Sequence, residues 1–146
     1  KYALPEEKSE SRLADMVMAC ILCGMEKEGR KYGAQLAKAL RRESFAERDL
    51  FYDREKAHLQ LKILAAWYTE PEEKLEELFG KEESTGVCHY CTSVVCREME
   101  GVRILYLLRQ GKEEEAWERL HRNLELQPAD EYMLAIKHIR GSAANK

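Results

Sequence analysis

The chain has 146 residues, 35% of them charged, and a net charge of −3. That length suits one domain with an apolar core of its own, and the near-cancelling charge argues against a non-specific nucleic-acid or membrane binder, because no basic excess exists to neutralise phosphates. Glutamate (23) far outnumbers aspartate (4), and prolines number three, a composition that favours helix and gives strands little support.

Helix signals run from end to end. Pro5 with Glu6 and Glu7 opens a first helix, since proline tolerates the first turn and acids suit the positive end of the dipole. That helix, or a second one after Ser9 or Ser11, runs through Leu13, Met16, Val17, Cys20 and Gly24 as one apolar stripe, with Ala14, Met18, Ile21 and Met25 beside it. Gly24, Gly29 and Gly33 predict close packing, or a break near Gly29. Ser44-x-x-Glu47 is a capping box that starts a new helix. This helix runs to about Tyr68, and its second half from Leu59 is nearly all apolar and expected to be buried. Pro71 with Glu72 and Glu73 starts a short helix that Gly80 is expected to stop. Residues 81–87 read as a polar loop. A helix from about Val87 or Thr92 ends at Gly111, another spans Lys112 to Gln127, and Pro128 with Asp130 and Glu131 opens the last, which is expected to stop at Gly141. No stretch alternates as a strand would. The longest apolar run, Met16 to Met25, is about half a membrane span. The expectation is therefore an all-α fold: a single compact domain over residues 1–146, of six or seven mostly antiparallel helices.

Two Cys-x-x-Cys pairs, Cys20 with Cys23 and Cys88 with Cys91, supply the ligand count and type of a four-thiolate structural zinc site. His89 or Cys96 could replace one ligand. Against this, free cysteine is among the most buried residue types. Cys20 shares the stripe of Leu13, Met16 and Val17, and a zinc knuckle at Cys23-Gly24 needs a helix break that the flanking pattern does not show. The reading prefers buried thiols. A redox pair belongs at a helix N-terminus, a condition open to Cys88 and Cys91 alone. An odd number of cysteines without framework spacing, with no visible secretory leader ahead of it, fits a cytoplasmic, reducing location.

Glu55-x-x-His58 and Glu118-x-x-His121 are two copies of one helical pair, each presenting an oxygen and a nitrogen on one face. Met25-Glu26-Lys27-Glu28-Gly29-x-x-Tyr32, with Arg54-Glu55-Lys56-Ala57-His58-Leu59, resembles the first helix pair of rubrerythrin-type, ferritin-like bundles. The resemblance covers about residues 18–68. It implies a di-iron or di-manganese site in which Glu26 is the single carboxylate and Glu55 with His58 the paired ligands, matched by Glu118 and His121. The second half departs from that pattern. Glu98 or Glu100 would have to be the remaining carboxylate, and only about twenty residues separate them from Glu118. Periodicity places Glu114, Glu118, His121 and Glu125 on a solvated stripe beside the buried Ala116, Leu120 and Leu124.

Leu107 to Ala116, continued by Leu124 to Pro128, is similar to a tetratricopeptide-type hairpin. Gly111, Ala116, Leu120 and Pro128 match that repeat's turn glycine, small packing residue, large residue and terminal proline. The resemblance covers about residues 100–134 and implies a groove that binds partner peptides. Ile104 stands where the repeat has a small residue, and one repeat does not make a solenoid.

No nucleophile elbow, Walker loop, dinucleotide fingerprint or zincin motif occurs. The leading expectation is a non-enzymatic helical interaction or regulatory module, with another protein or a second copy as partner and no cofactor. Trp117, with Leu124 and Met133, is the expected partner surface. The alternative is a metal protein holding zinc on Cys20, Cys23, Cys88 and Cys91, or a metal pair on Glu26, Glu55, His58, Glu118 and His121.

Overall fold

A computed structural model describes residues 10–42, 54–84 and 94–144. The described residues form seven α-helices and no strand, as the composition implies. Their contacts cluster into two units, residues 1–87 and residues 88–146, and each unit is taken in turn.

The first unit holds α1 (Glu10–Cys23), α2 (Glu26–Arg42), α3 (Arg54–Ala66) and α4 (Glu72–Ser84). Helix α1 buries Leu13, Ala14, Val17, Cys20 and Ile21, the stripe that its 3.6-residue spacing predicts. It ends at Cys23 because Gly24 takes a left-handed φ of 71°. The Met25 amide then reaches back to the Cys20 carbonyl (2.9 Å) and the Gly24 amide to that of Ile21 (3.3 Å). This is a Schellman stop, so the break falls at Gly24 and not near Gly29.

Gly29 and Gly33 lie inside α2 and act through close approach instead. A Cβ on Gly29 would come within 2.1 Å of the Tyr68 ring, and one on Gly33 within 3.2 Å of the Ala65 carbonyl oxygen. The glycine face lets α2 lie against the C-terminal end of α3, and Leu36 and Ala39 continue the same buried side. Helix α3 buries Leu59, Ile63, Leu64, Ala65 and Ala66. It stops at Ala66, slightly earlier than the apolar run suggests, in a turn where the Glu70 amide donates to the Ala66 carbonyl (3.0 Å). Trp67 in that turn is core. The Ser44-x-x-Glu47 capping box lies outside the described residues.

Helix α4 runs through Gly80 to Ser84, so Gly80 is no terminator. Its position is exposed, with open space around it, and the Lys81–Glu77 ion pair (3.4 Å) bridges it. An internal glycine weakens a helix by only about 1 kcal/mol, which flanking helix formers offset. Gly141 is likewise helical.

The second unit holds α5 (Val94–Arg109), α6 (Glu113–Leu126) and α7 (Glu131–Ala144). Gly111, with φ 81°, ends α5 by the same device as Gly24, the Lys112 amide reaching the Leu107 carbonyl at 2.9 Å. Helices α5 and α6 pack together across this short turn, and α7 packs on both. Ile104, Ala116, Leu120, Met133 and Ile136 are fully buried.

A polar network ties these three helices together. The buried Glu100 carboxylate accepts two bonds from Arg119 (2.5 and 3.0 Å) and one from Asn123 (2.9 Å). Arg97 donates to Asp130 at 2.6 Å, and Tyr132 donates to Glu98. The other Asp130 oxygen caps α7 by accepting from the Tyr132 and Met133 amides (3.0 and 3.2 Å), the usual task of an N-cap aspartate. Buried Arg103 has its pKa lowered to about 10, first by desolvation and then by the neighbouring Arg119 cation.

Candidate functional site

Both α2 and α4 pack on α3, and no close packing joins α2 to α4. Among the described residues no helix covers the strip of α3 between them, and a groove of about 470 Å³ runs there. It lies wholly within the first unit. Its α3 residues are His58, Lys62, Ala65 and Ala66, with Thr69 just beyond, and their 4-3-1-3 spacing makes them one helix face. Ala37, Leu40 and Arg41 of α2 form one wall, and Lys74, Leu78 and Lys81 of α4 the other.

Floor and rim differ in chemistry. Ala65, Ala66 and Leu78 are buried and make an apolar bottom, kept low by the two alanines. The Thr69 hydroxyl donates back to the Ala65 carbonyl at 2.9 Å, so that edge satisfies itself. Arg41, Lys62, Lys74 and Lys81 are exposed around the opening, with Glu70 the lone carboxylate among the lining residues. Lys74 and Lys81 share Glu77 at 3.9 and 3.4 Å. These are solvent-exposed pairs worth a fraction of a kcal/mol, roughly 0–1, which a ligand can displace. On a chain whose net charge is −3, the groove is locally cationic.

The described residues singled out by motif fall in both units. Cys20 is buried and Cys23 exposed at the C-terminal end of α1, where the dipole disfavours thiolates. Burial, the Glu28 carboxylate and Cys23 all push the Cys20 thiol up. Cys88 and Cys91 lie outside the described residues, as do His89 and the Glu55 side chain. Glu26 stands in the first turn of α2 and pairs with Arg30 (3.0 Å). His58 lines the groove. Glu118 and His121 are exposed on α6, where Glu118 pairs with Arg122 (3.4 Å). The two carboxylates considered as the fourth bundle ligand are engaged elsewhere, Glu98 by Tyr132 and Glu100 by Arg119 and Asn123. Among the described residues, no three of His, Cys, Asp and Glu gather closely enough to hold a metal ion. No helix among them is long and apolar enough to cross a membrane.

The expected partner edge needs correction at Met133. That side chain is fully buried, because Asp130 starts α7 three residues earlier and turns Met133 inward. Trp117 and Leu124 are half-buried on one face of α6. Among the described residues, the large apolar side chains that stand out are Met25, Leu126 and Ile139, at 43%, 55% and 40% exposure, too scattered in sequence to define a patch by themselves.

Sequence reasoning did not find the groove. Each of its residues reads as ordinary helix, and only the recurrence of Lys or His beside alanine on the α3 face hints at an unburied strip. No protein-family model matches the chain, and neither a characterised protein nor a solved structure is similar to it, so the groove's own chemistry carries the functional argument.

Proposed function

We propose that this chain is a non-enzymatic protein-interaction module that takes a segment of another protein into the α2–α3–α4 groove. The observation that carries this reading is the open strip of α3, floored by Ala65, Ala66 and Leu78. From His58 to Ala66 it extends eight residues, about 12 Å at the helical rise. A small-residue floor between two flanking helices suits a peptide segment laid along it, the helix-in-groove mode of recognition.

Selection of displayed random peptides on the immobilised full chain tests the proposal. Enriched peptides should slow amide exchange in α2, α3 and α4, and should lose binding to Ala37→Trp, which fills the groove from a half-buried position on its wall. Enriched peptides that protect only α5–α7, or that bind Ala37→Trp unchanged, refute it.

A further inference from the structure

We infer that the segment this groove accepts is acidic and amphipathic, its carboxylates meeting the cationic rim and its apolar side chains entering the alanine floor. The inference rests on the docking reading above and adds the partner's chemistry. Three observations point to it.

The first is charge complementarity. Arg41, Lys62, Lys74 and Lys81 line the opening against one carboxylate, Glu70, and among the described residues Arg41 and Lys62 have no ion-pair partner. Such a rim steers and selects anionic partners and repels cationic ones.

The second is spacing. Lys74 and Lys81 are seven residues apart, about 10 Å along α4, and His58 and Lys62 are about one turn apart on α3. These groups are strung along the groove and do not converge on a point. A lone phosphate or carboxylate would meet few of them, whereas carboxylates one turn apart on a peptide would meet several.

The third is the floor. Alanine and leucine supply apolar contact, and among the described residues no tyrosine, tryptophan or phenylalanine lines the groove. Single-stranded nucleic acid, the other common polyanion, is held through stacking on aromatic rings, which this floor does not offer. Leucine- or isoleucine-sized side chains fit it better.

The peptide selection, repeated on the Arg41→Glu/Lys62→Glu variant, decides the matter. Both positions are exposed, so the fold survives, and circular dichroism checks that it has. The wild-type chain should enrich groove-binding peptides that combine Asp or Glu with Leu, Ile or Phe. The charge-reversed chain should bind those peptides about tenfold more weakly and enrich neutral or basic sequences in their place. Raising salt from 0.1 to 1 M, which shortens the screening length from about 10 to about 3 Å, should weaken the wild-type complexes as well. Wild-type binders that Ala37→Trp abolishes but that carry no acidic bias would overturn this inference and leave the docking site standing. The absence of any groove binder would remove both. An oligothymidylate that binds more tightly than the enriched peptides, and is released by the charge reversal, would reassign the rim to nucleic acid and overturn the inference.

Discussion

Substitution of Gly29 by alanine should destabilise the first unit, although alanine is the better helix former. A Cβ at Gly29 would sit 2.1 and 2.4 Å from two Tyr68 ring carbons, more than 1 Å short of ordinary contact. The ring cannot yield freely, because its hydroxyl donates to the Cys20 carbonyl (3.4 Å), and Trp67 beside it is core. Overpacking of this kind costs about 1–3 kcal/mol, while the gain in helix propensity returns up to about 1 kcal/mol. Taking about 2 kcal/mol for the overpacking, the net expectation is a loss of about 1–2 kcal/mol. With a urea m-value of about 2 kcal/mol/M, that lowers the unfolding midpoint by about 0.5–1 M. In a Trp117→Phe background, Trp67 fluorescence reports the first unit alone. Two controls fix the sign. Gly80→Ala, with open space at its Cβ, should stabilise by about 0.5–1 kcal/mol. Removing the ring as well, in Gly29→Ala/Tyr68→Ala, should reveal a coupling of about 1 kcal/mol. If Gly29→Ala is as stabilising as Gly80→Ala, the close packing of α2 on α3, and with it the placement of the groove's first wall, is wrong.

Further predictions concern the rest of the chain. Asp130→Ala removes the α7 cap and leaves Arg97 buried without its carboxylate, so the second unit should lose about 3–5 kcal/mol; Asp130→Asn keeps a capping oxygen and should fall between the two, and an alanine variant within 1 kcal/mol of wild type by urea unfolding would refute the network's role. Mass-spectrometric mapping of iodoacetamide modification should find Cys23 labelled quickly and Cys20 and Cys96 protected, as their burial requires; equal labelling of all three would contradict the packing of α1 and α5. Because the Cys20 thiol is raised in the folded chain from its ordinary 9.0, the unfolded chain loses that proton first. Stability should therefore decline as pH rises through 9, and Cys20→Ala should flatten that decline. Protein purified without chelator should carry no stoichiometric zinc, iron or manganese by elemental analysis; about one zinc per chain would support the four-thiolate site instead.

The helices were legible because their signals are local. The stripe from Leu13 to Ile21, the acids of α4 and α6 at their N-termini, and Asp130 ahead of α7 each act within a turn or two of chain. Glycine was the weak point. Gly24 and Gly111 end helices because the next residue's amide can reach back five positions and the chain beyond leaves the axis. Gly80 and Gly141 have the same identity, but their neighbours continue the helix at small cost, and composition alone does not separate the two cases. The buried polar network was not legible either. Glu100 and Asn123 look like surface residues until Arg119 faces them, which depends on how α6 sits against α5. The motifs carry a related ambiguity: Glu118 and His121 have a ligand's spacing, yet nothing in that spacing says whether the face they share is buried or solvated. The groove lies furthest from the sequence, since it exists because α2 and α4 both choose α3 and leave a strip of it that no described helix covers.

The most direct measurement is an NMR titration of the full chain with an enriched acidic peptide. The account predicts shifts concentrated on Ala37, Leu40, Ala65, Ala66 and Leu78 and on the side chains of Lys62 and Lys74, with α5–α7 unmoved. Shifts centred on Trp117, Leu124 and Leu126 would contradict it and place the partner on the second unit.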